Sequence, residues 1–284
     1  MKIIPSVQNE YGKLKQVVVS QPDSEKVIKM LSPKGRLVTV YAVHEHKNLV
    51  DVLLKYGVEV IKLDNSKCES FTHVFVRDPF MVLGNTLFLN KVAEHRVDEW
   101  HAMNDVMLAA GREHLYGYNS RTDGGDVIIH NGDIFVGRGG CHTAEQSIQT
   151  LTNIFAKRCN VIPVDLNIKP ASYVYHRKKQ HLDCVFNPIS KNQAIVYADG
   201  LAQESLAEIR EAFDVIKVSK KEQAELAVNV LSLGNKVIVS QKRHTRLNSE
   251  LKRQGFTVEE IEFDTFVNGL GAFRCATCPI SRDR

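Results

Sequence analysis

No stretch of this chain approaches the ~18 consecutive apolar residues that a membrane span requires. Its first residues, Met1-Lys2-Ile3-Ile4-Pro5, lack the apolar run that marks a secretory signal. These absences set the expectation of a cytoplasmic protein with no membrane partner. Neither sign of charge dominates, since 37 basic and 33 acidic residues leave a formal net charge of +4. Basic pairs such as Lys178-Lys179 and Lys220-Lys221 are spread along the chain rather than gathered in a stripe, so no nucleic-acid partner is expected. Six cysteines are scattered as well, and only Cys275 and Cys278 are closely spaced. No second Cys-X-X-Cys or spaced histidine pair is present to complete four zinc ligands. In a reducing compartment a reactive cysteine is catalytic rather than a structural staple.

What is present is a repeat. An apolar fraction of 43% with 25% charged residues suits a soluble chain that buries a proper core. β-branched runs flank turn residues again and again: Val74–Val76 and Phe80–Leu83 before Gly84-Asn85 and Thr86–Leu89, then Val127–Ile129 before Asn131-Gly132 and Ile134–Val136. Cys184–Phe186 with Ala194–Tyr197, and Val228–Leu231 with Gly234-Asn235 and Val237–Val239, continue the pattern. Such runs around Gly-Asn or Asn-Gly predict hairpins, because these residues accept positive φ. A helical stretch and another strand follow, as in Ser205–Ala212 with Val215–Val218, and Leu247–Gln254 with Val258–Phe263. The first unit is shorter, with Gln16–Val19, a helix near Asn48–Lys55 and Val58–Ile61. Five such units with a period of about 45 to 50 residues predict one closed α/β ring over residues 1–284, in preference to an open doubly wound sheet.

The first strands of these units carry polar residues where a buried strand would be apolar: Asp78, Asp123 and Asp126, His181 and Asp183, and Asn229. In a ring, equivalent positions face one axis, and carboxylates gathered there want a cation. His181-Leu182-Asp183 on a strand would place both polar side chains on one face, as an oriented acid/base or simply as a polar strand mouth. Asp123-Gly124-Gly125-Asp126 reads either as backbone that approaches a ligand or as a tight turn with solvated aspartates. Arg77-Asp78-Pro79 could be a strand-leading turn alone. The glycine-bearing loop Gly269–Pro279 presents Cys275 as a nucleophile, with a redox pair or half a zinc site as the competing readings.

Together these segments carry a family resemblance. Phe75-Val76-Arg77-Asp78-Pro79 resembles the Phe-Thr-Arg-Asp-Pro motif of arginine deiminases, and Asp123-Gly124-Gly125-Asp126-Val127 resembles the Asp-Gly-Gly-Asp-Val of dimethylarginine dimethylaminohydrolases. His181-Leu182-Asp183 is similar to the catalytic His-X-Asp, and Gly271 through Pro279 to the nucleophile loop of deiminases and amidinotransferases. The motifs stand in family order across nearly the whole chain. The resemblance implies the pentein fold, a five-fold pseudosymmetric α/β propeller in a single domain. It implies a small-molecule guanidine substrate, with Cys275 as nucleophile, His181 as acid/base supported by Asp183, and Asp78 and Asp123 gripping the guanidinium. Asp126 matches the motif as a further substrate-binding position. No metal or other cofactor is required, because a thiouronium intermediate resolved by water needs only thiolate and acid/base.

The chain departs from these relatives at one point. They carry a Lys-Arg-Thr-like motif whose arginine holds the substrate carboxylate, whereas this chain reads Gly137-Arg138-Gly139-Gly140-Cys141-His142-Thr143. Arg138 and Arg96 are then the candidates for that carboxylate. The size is closer to the dimethylarginine hydrolases than to deiminases with their extra helical domain. Dimethylarginine hydrolysis is the leading expectation and arginine deimination the next. The alternatives are amidino transfer through the same intermediate, and a pentein that only binds.

Overall fold

Turn chemistry divides the chain into hairpins. Strands β6 (Val127–His130) and β7 (Asp133–Arg138) meet at Asn131-Gly132, where φ is 49° and 93°. Positive φ at both central residues matches the right-handed twist of paired strands. The turn between β12 (Leu231–Gly234) and β13 (Val237–Gln241) sits one residue later than expected, on Asn235 and Lys236 with φ of 50° and 60°. Gly234 ends the strand there, and a Cβ on it would lie 2.3 Å from Lys13 Cα. The computed structural model describes residues 3–23, 36–66, 68, 70–111, 115–140, 142–167 and 181–283. Cys141 and the Lys178-Lys179 pair lie outside the described residues.

Each hairpin gains a parallel third strand. β3 (Phe80–Leu83) and β4 (Thr86–Lys91) are joined by β5 (Leu115–Arg121), and β6 and β7 by β8 (Asn160–Asp165). β9 (Phe186–Pro188) and β10 (Gln193–Val196) are joined by β11 (Asp214–Lys217), and β12 and β13 by β14 (Thr257–Ile261). The remaining sheet takes its strands from both ends of the chain: β15 (Cys278–Arg282) runs antiparallel to β1 (Leu14–Val19), which is parallel to β2 (Glu59–Lys62). The unit that looked short by sequence borrows its first strand from the C-terminal segment.

A helix precedes each parallel strand: Arg36–Lys55, Asn104–Ala110, Glu145–Phe155, Gln203–Ala212 and Thr245–Arg253. Gly57 and Gly255, with φ of 72° and 86°, follow the first and last of these, as helix C-termini favour. Arg36–Lys55 begins well before the expected Asn48. It buries Leu49 and Leu53 in a cluster with Val17, Val19 and Phe263. Among the described residues no helix is long and apolar enough to cross a membrane.

The expected first strands start too early in sequence. Phe71–Val74, Gly124–Asp126 and Leu182–Cys184 are single 3-10 turns, and β9 and β12 begin only at Phe186 and Leu231. The polar residues therefore occupy turns that lead into the strands. Tertiary hydrogen bonds at these turns override the β-propensity of their apolar neighbours.

Candidate active site

The five lead-in turns are stitched to one another in sequence order. Asp78 O accepts from Gly124 N at 2.9 Å, and Asp126 Oδ1 accepts from Leu182 N at 2.9 Å. Asn229 Nδ2 donates to Asp183 O at 3.3 Å, while Asn229 Oδ1 accepts from the backbone N–H of Arg274 at 3.0 Å and of Cys275 at 3.3 Å. Arg77 N then donates to Cys275 O at 3.1 Å, returning the circuit to the first turn. Both glycines of the Asp-Gly-Gly-Asp segment are needed for this approach. A Cβ on Gly124 would lie 2.1 Å from Arg77 O, and one on Gly125 only 2.8 Å from His181 Nδ1 and 3.0 Å from Asp78 Oδ1.

The side chains so gathered are almost wholly buried: Cys275 is 4% exposed, His181 6%, Asp78 4% and Asp123 2%. Asp123 Oδ2 lies 3.1 Å from His181 Nε2 and 2.9 Å from His142 Nδ1. Asp78 Oδ1 is 3.6 Å from His181 Nδ1. Burial works against a charged imidazole, but Asp78, Asp123 and Asp126 outweigh it and push His181 up to about 10. Burial likewise tends to raise Asp123, yet His142 and His181 hold it far below the usual carboxylate range. Cys275 is pushed well above an ordinary thiol by burial first and then by Asp183 and Asp78. The resting side chain is a thiol.

Several sequence assignments change. His181 is not on a strand and shares no strand face with Asp183; it precedes the 3-10 turn Leu182–Cys184. Asp183 Oδ2 accepts from Arg274 Nε at 3.3 Å, so the carboxylate bonded to His181 is Asp123 instead. Both oxygens of Asp126 are occupied, by Leu182 N and by Thr143 Oγ1 at 2.8 Å, and burial pushes its pKa up to about 7. These bonds tie Asp126 to the His181 turn and to Thr143. Arg96 is buried and paired: Nε and Nη2 bind Glu99, Nη1 binds Asp78 at 2.7 Å, and Nη2 also reaches Phe75 O. Arg138 forms a bidentate pair with Asp165 at 2.6 and 2.8 Å. Both arginines therefore carry carboxylate partners within the chain itself.

Cys278 opens β15, is fully buried and donates to Phe80 O at 3.5 Å. Sequence reasoning missed the support beneath Cys275. Glu10 receives Arg274 Nη1 at 2.9 Å and lies 3.6 Å from Arg77 Nη1. Burial alone would raise Glu10, yet Arg274, Arg77 and Arg282 bring it down to about 2. No motif surrounds Glu10, so nothing in its neighbourhood signals the role. Asp123, His142 and His181 also offer three ligand atoms within 4.8 Å of one another and could hold a divalent metal. Metal at Nε2 of His181 and a proton at that atom exclude each other.

Within the site, two buried oxygens, Asp78 Oδ1 and Asp123 Oδ1, have no hydrogen-bond donor among the described residues. With a buried thiol and an imidazolium, they make a site suited to a planar cation that can be attacked by sulfur and protonated by histidine.

Comparison with known proteins agrees with this class. The chain is a member of the pentein, guanidino-modifying superfamily. Within it, the family described as N,N dimethylarginine dimethylhydrolase, eukaryotic, matches residues 20–282, and the chain belongs to that family. An uncharacterized protein of Bacillus subtilis, YkgA, is 29% identical over 282 residues, covering 97% of this chain and 94% of that protein. The arginine deiminase of Streptococcus gordonii is 24% identical over 254 residues, which are 74% of this chain and only 60% of the deiminase. Among solved structures, an amidinotransferase from Microseira wollei in the saxitoxin biosynthetic pathway superposes with a TM-score of 0.79 at 18% identity, covering 98% of this chain and 97% of that one. The dimethylarginine dimethylaminohydrolase of Pseudomonas aeruginosa, complexed with citrulline, superposes with a TM-score of 0.77 at 16% identity, covering 94% and 99%. These two superpositions establish the likeness of fold.

Proposed function

We propose that this chain is a cysteine-dependent hydrolase of the guanidinium group of arginine or a methylated arginine, with dimethylarginine as the first candidate. The single observation that carries the reading is the pair of donor-less buried oxygens, Asp78 Oδ1 and Asp123 Oδ1, beside a buried thiol. A guanidinium supplies the missing donors, and its charge relieves the two carboxylates. The hydrogen-bond circuit through the five lead-in turns supports a closed ring of five sheets as one catalytic domain, with this pocket on its axis. The free thiols at Cys68, Cys159, Cys184, Cys275 and Cys278 fit a reducing, cytoplasmic setting.

The scheme uses only the chain's own side chains. Without substrate, burial and the charges of Asp183 and Asp78 keep Cys275 protonated. Guanidinium binding offsets those charges, and the thiol proton leaves to solvent. Sulfur adds to the guanidinium carbon, and the His181 imidazolium gives its proton to the departing amine as the C–N bond breaks. Neutral His181 then takes a proton from water, whose oxygen adds to the thiouronium carbon. The C–S bond breaks as the hydroxyl proton of this adduct passes to the leaving sulfur, which restores the Cys275 thiol and leaves a neutral urea that lacks the charge for tight binding.

Incubation of the protein with arginine, methylated arginines and agmatine, with and without an added amine acceptor, tests the reading by mass detection of products. A ureido product with release of ammonia or an alkylamine is expected. Product formed only with the acceptor present indicates amidino transfer, and no product from any guanidine overturns the reading.

A further inference from the structure

If guanidine hydrolysis is the activity, something must hold the far end of the substrate, and the two arginines expected for that task are occupied by Glu99, Asp78 and Asp165. Arg77 and Arg274 are buried and directed toward Glu10 and the nucleophile loop. Arg121 is different. It ends β5, two residues before Asp123, and is partly exposed. Its Nε is buried without a hydrogen-bond partner, and Nη2 lies 3.3 Å from His142 Nδ1.

That same Nδ1 lies 2.9 Å from Asp123 Oδ2. One ring nitrogen cannot serve both neighbours. Donating to a carboxylate needs an N–H at Nδ1, whereas accepting from a guanidinium needs a lone pair there. The shorter, charge-assisted contact with Asp123 takes the proton. Arg121 then faces a donor, and no carboxylate among the described residues forms an ion pair with it. A cation with unanswered donors therefore stands beside the reaction centre. Steps of 3.3 and 2.9 Å separate it from the Asp123 carboxylate, a span that the three methylenes of an arginine-type substrate can bridge.

We infer that Arg121 holds the carboxylate of an amino-acid guanidine whose guanidinium lies on Asp78 and Asp123, and so sets a preference for carboxylated over decarboxylated guanidines. This rests on the guanidine reading above. His142 stands where relatives carry their carboxylate-binding arginine, and it spaces the Arg121 guanidinium from Asp123.

The test is calorimetric titration of Cys275→Ser protein with arginine and with agmatine, repeated with Arg121→Ala and Arg121→Lys added. Steady-state kinetics on the Cys275 forms run in parallel. Arginine is expected to bind more tightly than agmatine. Arg121→Ala should cut that preference by roughly 10- to 100-fold, the range for one lost charged hydrogen-bonding partner. The loss should fall on KM rather than kcat, and Arg121→Lys should recover part of it. Equal weakening of both ligands, an unchanged preference, or tighter agmatine binding by the parent overturns the assignment. Preferential binding of arginine without turnover by the Cys275 forms sinks hydrolysis and leaves the anchor standing. Binding of neither ligand removes both.

Discussion

Asp123 Oδ2 lies 3.1 Å from His181 Nε2, although the two residues are 58 positions apart and lead into different sheets. The imidazole and the carboxylate bonded to it are thus held by separate units of the fold. Their relative position depends on the bond from Leu182 N to Asp126 and on the two small glycines between Asp123 and Asp126.

Replacing Cys275 by Ser should abolish turnover, whereas Cys278→Ser should keep most of it. Of these two, Cys275 sits beside Asp183 and Asp78, while Cys278 is a packing thiol in β15 that burial pushes up to about 12. Product assays on both variants, with and without reductant, check this. Equal losses that reductant reverses would point to a redox pair.

His181→Ala should slow turnover by ~10²–10⁴-fold, the usual span for a lost general acid/base. The raised pKa of His181 also has a sign for stability. The folded state holds this proton up to about pH 10, while an unfolded histidine releases it near 6.5. Its stabilisation is complete below the unfolded value and is lost as pH rises through the folded one. Thermal melts of wild type and His181→Ala should therefore differ most near pH 6 and converge toward pH 10. A gap that widens with pH contradicts the ion-pair description.

Asp78→Asn and Asp123→Asn should each weaken guanidine binding at least tenfold, because each removes one charge-assisted hydrogen bond. Titration of Cys275→Ser protein with guanidines and matched ureas reads the charge preference directly. Ureas binding as tightly as guanidines would mean the pocket was not made for a cation.

Gly125→Ala should lower kcat by roughly 10- to 100-fold, since small misplacements of reacting groups carry costs of that order. The new methyl would press on His181 Nδ1 and Asp78 Oδ1, 2.8 and 3.0 Å away. A melting temperature close to wild type with reduced kcat is the expected combination. Unimpaired kcat would show that the His181–Asp78 geometry tolerates displacement.

The repeat was legible because hairpin turns are local: Asn131-Gly132 needs only its own positive φ to declare itself. His181, Asp78 and Asp123 could be picked out because polar residues interrupt apolar runs, and Cys275 because a glycine-bearing loop presents it. Their pairing was not legible. A strand reading put Asp183 beside His181, but Asn229, Asp126 and the glycines pull these segments into turns through bonds between distant residues. Arg96 looked available because Glu99 is an ordinary helix residue until the fold buries the pair. Arg121 carries no motif at all, and its unanswered donors emerge only once His142 is seen to face Asp123.

The seam between β1 and β15 gives the site a place in time as well as in space. Leu14 pairs with Arg282, so one sheet closes only when segments from nearly opposite ends of the chain meet, whereas hairpins such as β6–β7 close over two residues. Loop closure over so long a separation is slow compared with local pairing. Cys275 stands three residues before β15, so its position depends on a pairing of long sequence separation. During refolding, hairpin formation should outrun the closing of this seam, so the Cys275 loop should reach its final place after the hairpins have formed.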